Sequence, residues 1–123
     1  MVQLYQMKIV AIILGLCMSE HVFDHEAWAR LDIFNQMGNI GSEVGRAITA
    51  KHQGKTERSM SAFYRGMDLI NATIEVWSSQ KGSAIPELLR AREQFARTIL
   101  TDQEDPTLEQ YFMQFAIAAR ANR

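Results

Sequence analysis

Residues 60–77 read Met60-Ser-Ala-Phe63-Tyr-Arg-Gly-Met67-Asp-Leu-Ile70-Asn-Ala-Thr-Ile74-Glu-Val-Trp77. Met60, Phe63, Met67, Ile70, Ile74 and Trp77 recur at alternating spacings of three and four, which gathers them on one side of an α-helix. Leu69 and Val76 widen that stripe beyond a narrow coiled-coil seam, to the breadth of a helix packed in a globular core. The methionines and Trp77 read as core filling, not as a cofactor box. This helix is expected to start with Thr56 as its N-cap and to end near Ser79, with Lys81-Gly82-Ser83 as the following turn.

The same pattern extends outward from it. Upstream, Leu31, Phe34, Met37, Val44 and Ile48 fall on one arc of a helix expected from about His25 to Gln53, stopped by Gly54. Gly38, Gly41 and Gly45 project onto that arc. Each costs about 1 kcal/mol relative to alanine in a helix interior, so their expected role is to let the next helix, the second, approach backbone to backbone. A phosphate-cradling loop would need a strand before these glycines, and the helical pattern runs straight through. Downstream, Pro86 is expected as the first residue of a third helix ending near Leu100, with Leu88, Leu89, Phe95, Ala96, Ile99 and Leu100 inward. Asp105 and Pro106 open a fourth, with Leu108, Tyr111, Phe112, Phe115 and Ala119 inward. Short connections favour antiparallel neighbours. The expectation is an all-α chain: an antiparallel up-down four-helix bundle over residues 19–123, preceded by an apolar N-terminal extension over 1–18.

That extension carries Lys8 followed by the apolar run Ile9 to Leu16, well short of the roughly 20 residues of a spanning helix. It has the length of a signal-peptide core without a small-x-small cleavage site. The other readings are an apolar tail that packs, or sequence upstream of a natural start at Met18. Composition is ordinary for a globular domain, and thirteen basic residues face fourteen acidic ones, so there is no overall attraction to nucleic acid or anionic membrane. A lone cysteine, Cys17, excludes an internal disulfide and points to a reducing, cytoplasmic setting.

Two features break the bundle pattern. Arg92 projects into the apolar arc of the third helix, where a charge must pair or snorkel; Glu43 and Glu93 are candidate partners. Met113 and Ile117 stand one turn apart on the face of the fourth helix opposite its core residues, flanked by Gln110 and Gln114. Together they suggest a second packing surface, covered either by the N-terminal apolar tail or by another subunit; as a candidate oligomer interface they favour a homodimer. Asn39, Glu43 and Arg46 on the polar side of the first helix, with Arg92, are the candidate binding residues. Arg65 and Asp68 read as an ordinary i,i+3 surface pair.

His21 and His25 stand at i,i+4 without a third ligand, so no metal is expected. No cofactor, catalytic triad or paired-carboxylate constellation is legible. His52 follows Arg46 by six positions, a spacing that resembles the Arg-x-His signature of helical HEPN ribonucleases, although Ala47 replaces the polar residue usual after the arginine.

Four segments carry a wider likeness: Asn39-Ile40-Gly41-Ser42-Glu43-Val44-Gly45-Arg46, Ala62 to Leu69, Leu89-Arg90-Ala91-Arg92-Glu93, and Tyr111 to Phe115 with Ala118-Ala119-Arg120. Through them the chain from Trp28 to Arg120 resembles a set of small bacterial helical proteins of uncharacterised function. That resemblance implies a helical bundle without a known activity, and places residues before Met18 outside the domain. The architecture is also similar to small four-helix accessory proteins of diversity-generating retroelements, which bind nucleic acid as oligomers. The expected function is a non-enzymatic helical interaction module that self-associates and binds a protein partner. The alternative is a nucleic-acid-associated role, binding through residues such as Arg90, Arg97, Arg120 and Arg123 or cleaving in the HEPN manner. No membrane span is expected.

Overall fold

A computed structural model describes residues 24–79 and 84–121. The expected extension over 1–18, His21 and the turn at Lys81-Gly82-Ser83 lie outside these residues. The described chain is all-helical: α1 (His25–Arg30), α2 (Ile33–His52), α3 (Thr56–Ser78), α4 (Ile85–Leu100) and α5 (Pro106–Ala121). No helix among the described residues is long and apolar enough to cross a membrane.

The single helix expected from His25 to Gln53 is two helices. Asp24 caps α1 by accepting from the Ala27 amide at 3.0 Å. Asp32 then caps α2, its Oδ1 accepting from the Asn35 backbone at 2.8 Å and from the Asn35 side chain at 3.0 Å. An aspartate with extended backbone at this position satisfies amides that a continuous helix would bond elsewhere. The chain breaks here because Trp28 must reach inward. Its indole Nε1 donates to Thr73 Oγ1 at 2.8 Å, and its carbonyl accepts from Gln36 Nε2 at 3.0 Å. Gln36 Oε1 in turn accepts from Trp77 Nε1 at 3.1 Å. Trp28, Gln36, Thr73 and Trp77 are all buried, so this polar chain is satisfied away from water. It fastens α1 and the start of α2 to the end of α3.

The other end of α2 stops where expected. Gly54 has φ of +73°; its amide donates to the Lys51 carbonyl at 3.0 Å and the Lys55 amide to the Ala50 carbonyl at 2.9 Å. These two bonds are a Schellman motif, which needs the left-handed conformation that glycine adopts without strain. Thr56 is the first residue of α3 and not its cap; Lys55 holds that position, with no side-chain bond. Asp105 does cap α5, accepting from the Thr107 amide at 3.0 Å. Lys51 reaches the carbonyls of Thr98 at 2.5 Å and Thr101 at 2.6 Å, placing a cation where the end of α4 exposes carbonyls.

The core is built along the apolar seam of α3. Phe63, Met67, Ile70 and Trp77 are buried, with Met60 and Ile74 partly so. They meet Ile40, Val44 and Ala47 of α2, Leu88 and Phe95 of α4, and Leu108 and Phe112 of α5. Phe63 and Phe95 pack edge to face at a centroid distance of 5.0 Å, a geometry favoured by the ring quadrupoles. Leu31 and Leu89, read as inward, are exposed at 38 % each: Leu31 sits in the break, and Leu88 takes the core position beside Leu89.

α2 is the hub, packing most broadly on α3 and then α5, while α3 also packs on α4. The glycines serve this hub differently from expectation. Gly38 and Gly41 face α5, not the second long helix: a Cβ at Gly38 would lie 3.4 Å from Ala116 Cα, and one at Gly41 would lie 2.7 Å from Phe112 Cβ. Gly45 has nothing within 4 Å. The close approach to α3 is made by Gly66, where a Cβ would meet Phe95 Cε2 at 2.8 Å and Glu43 Cβ at 3.4 Å. Gly41→Ala is therefore expected to destabilise the fold by about 1–3 kcal/mol through overpacking. Gly45→Ala is expected to stabilise it by about 0.5–1 kcal/mol through helix propensity. Urea denaturation of both variants reads the opposite signs directly.

Candidate functional site

A trough of about 770 Å³ runs along the outer side of α2. Gly41, Ser42, Gly45 and Thr49 of α2 line its floor, and their small size keeps the floor low. Arg58, Ala62 and Arg65 of α3 form one wall; Phe112, Met113, Ala116 and Arg120 of α5 form the other. Arg46 rises from α2 itself, so four arginines line the hollow, with Glu109 as its acidic member.

Glu43 organises this charge from beneath. It lies at the edge of full burial at 9 % exposure, and its two carboxylate oxygens are divided between two helices. Oε1 accepts from Arg46 Nη1 at 2.6 Å and Oε2 from Arg65 Nε at 2.9 Å. A carboxylate with both oxygens in charge-assisted bonds is compensated for its loss of water. Both guanidinium groups retain exposure, 63 % of the Arg46 side chain and 39 % of the Arg65 side chain, and present unused donors to the trough. Arg65, read as the surface partner of Asp68, reaches across to another helix instead, because Gly66 brings α3 close at this level.

The four candidate binding residues do not form one site. Glu43 and Arg46 meet with Arg65 at the trough. Asn39 lies outside it, exposed on α2, with its amide donating to the Asn35 carbonyl at 2.9 Å. Arg92 stands on α4 beside a separate hollow of about 480 Å³ with Leu89, Ala96 and Leu100. Its expected carboxylate partner is replaced by a neutral one: Nη1 donates to Asn71 Oδ1 at 2.7 Å. Arg92 is only half-buried, and that burial holds its pKa below the ordinary arginine value. Snorkelling, not a buried ion pair, resolves the anomaly.

Arg46 and His52 do not converge. His52 lines a different hollow, about 380 Å³, with Ile48, Glu104 and Glu109, and its Nε2 lies 3.3 Å from Glu104 Oε1. Among the described residues no three His, Cys, Asp or Glu side chains gather as metal ligands. On the outer face of α5, Met113 and Ile117 are each 54 % exposed, the two most exposed large apolar side chains of the described chain. The opposite face buries Leu108 and Phe112, while Tyr111 and Phe115 are half-buried and pack edge to face at 5.4 Å. The Tyr111 pKa is raised by burial first and by the Glu87 carboxylate second. Compared with known protein families, curated proteins and solved structures, the chain gives no match.

Arg58 and the polar chain through Gln36 were absent from the sequence reading. Gln36 had a signal, since it shares a stripe with Ile40, Val44 and Ala47 and so breaks an apolar run. Arg58 had none; it matters only because the trough opens beside it. Removing Glu43 leaves two cations facing each other, so Glu43→Gln is expected to cost about 1–2 kcal/mol, reduced by the exposure of both arginines. Arg92→Met, which loses one bond to a neutral amide, is expected to cost under about 1 kcal/mol. Chemical denaturation of the two variants side by side gives the comparison.

Proposed function

We propose that α2–α5 constitute a four-helix bundle with α1 folded against one end, and that this bundle is a non-enzymatic interaction module. It self-associates through the outer face of α5 and receives a protein partner in the trough above α2. The observation that carries the reading is the double-faced character of α5. One side is sealed into the core by Leu108 and Phe112, and the other presents Met113 and Ile117 to solvent. An apolar stripe on a helix whose core-facing side is already filled favours a second packing partner. A cytoplasmic location belongs to the same reading, because a lone cysteine, Cys17, suits a reducing compartment.

The arginines of the trough support a second reading, in which the partner is a nucleic acid. Phosphate contacts would suit Arg46, Arg58, Arg65 and Arg120. Two observations weigh against it. Single-stranded recognition relies on exposed rings for base stacking, and the aromatic side chain lining the trough, Phe112, is 1 % exposed. The separation of Arg46 from His52 also leaves a HEPN-like cleavage without its paired residues.

Light scattering tests the first reading: the parent protein is expected to have the mass of a dimer, and a Met113→Glu/Ile117→Glu variant that of a monomer. An unchanged mass in the variant would count against it. A salt titration of RNA and DNA binding tests the second. Affinity that falls steeply with salt, and weakens in Arg58→Ala and Arg120→Ala, would favour nucleic acid over protein.

A further inference from the structure

The exposed face of α5 is polar at its two ends and apolar in the middle, and its ends carry opposite charge. Glu109 stands in the first turn and Arg120 in the last. Both line the trough along with Met113, so both stand on the same flank of the helix. Successive residues advance by about 100° around an α-helix. On that geometry Met113 and Ile117 form the centre of the outer face, with Glu109 and Arg120 along its trough-side edge.

We infer that the occupant of this face is a second copy of the chain, with the two α5 helices paired antiparallel about a two-fold axis near Phe115. This rests on the self-association proposed above and assigns its surface, direction and register. A two-fold axis perpendicular to both helices brings like flanks together and reverses their ends. Met113 of one copy then packs on Ile117 of the other, and Ile117 on Met113. Glu109 precedes the axis by six residues and Arg120 follows it by five, so they stand about 9 Å and 7.5 Å from it along the helix. Each Glu109 therefore meets Arg120 of the second copy at nearly the same height and on the same flank. The seam is apolar at its centre and closed at both ends by an opposite-charge pair. A parallel pairing would set the two acidic ends side by side and the two basic ends side by side. Like-charge juxtaposition disfavours that arrangement.

The remaining positions on the outer face are Pro106, Gln110, Gln114 and Ala121, all exposed, and the glutamines can bond across the seam or to water. The pairing also places both troughs on one side of the dimer, so the arginines of the two copies form a single broad surface.

Charge exchange tests the register. The dimer dissociation constant is measured by analytical ultracentrifugation at low salt for the parent, Glu109→Arg, Arg120→Glu and the double exchange. Circular dichroism establishes that each variant is folded. Each single exchange turns two symmetry-related attractions into repulsions and is expected to weaken the dimer about tenfold. The double exchange is expected to recover most of that loss, because it restores both pairs with their signs reversed. A parent that stays monomeric up to about 100 μM overturns the self-association and this inference together. A dimeric parent that Met113→Glu/Ile117→Glu dissociates, but whose affinity ignores both single exchanges or is not recovered by the double, overturns the antiparallel register and leaves self-association standing. A folded single variant lost to the monomer and rescued by the double exchange supports the register most strongly.

Discussion

The structure depends on how closely α5 lies against α2. Helix axes usually stand 8–10 Å apart because side chains fill the space between them. At Gly41 no side chain is present, and the Phe112 Cβ lies only 2.7 Å from the position a Cβ there would take. Gly38 repeats the contact one turn earlier, against Ala116. Bringing α5 this near lets Phe112 and Leu108 reach the core from a helix with no other buried residue. It also sinks α2 between its two neighbours. The trough is a by-product of that geometry: the hub helix is low because its outer residues are small, and the flanking helices rise above it.

Electrostatics then follow from packing. Gly66 narrows the gap between α2 and α3, so Arg65 arrives within hydrogen-bond distance of a glutamate on another helix. Glu43 lies too deep to be hydrated freely and must share its charge. With Arg46 one turn along α2 and Arg65 across the interface, one carboxylate holds two guanidinium groups in fixed directions. The donors left over point outward. A surface arginine is ordinarily a flexible charge with a substantial side-chain entropy to lose on binding. Here part of that loss is already met in the folded chain, and the trough presents cations whose positions are set before any ligand arrives.

The helical character, the core seam of α3 and the ends at Gly54, Leu100 and Asp105 were legible in the sequence because each has a local cause: apolar spacing, a left-handed glycine, a capping carboxylate. The break at Asp32 was local too, but its signal was overlooked. An aspartate whose side chain reaches the amide three residues on is a capping signal, and Trp28, four residues before it, is the apolar residue that the break turns inward. Gly38 and Gly41 are sites of close approach, but to α5 and not to the helix expected, and Gly45 of the same stripe approaches nothing. Spacing gives the face of a helix, not which helix meets it. For the same reason Glu43 and Arg46 could be grouped on one helix, whereas Arg65 and Arg58 joined them only through tertiary structure. Arg92 was placed on an apolar arc correctly, yet its length let the guanidinium escape to an amide at the edge.

The six-residue helix α1 has a further consequence. A helix of this length has no independent stability in water, and Trp28 is its one buried residue. Its attachment rests on that indole and on bonds reaching 45 residues ahead to Thr73 and eight ahead to Gln36. Such a segment is a separate unit of local unfolding, able to detach at a fraction of the free energy needed to open the α2–α3 core. Detachment would not be silent. It would strip Gln36 of a partner, wet the indole of Trp77 and loosen the first turn of α2, the turn that leads directly to Gly38 and the packing of α5. The N-terminal latch is thereby mechanically joined to the helix at the opposite end of the chain.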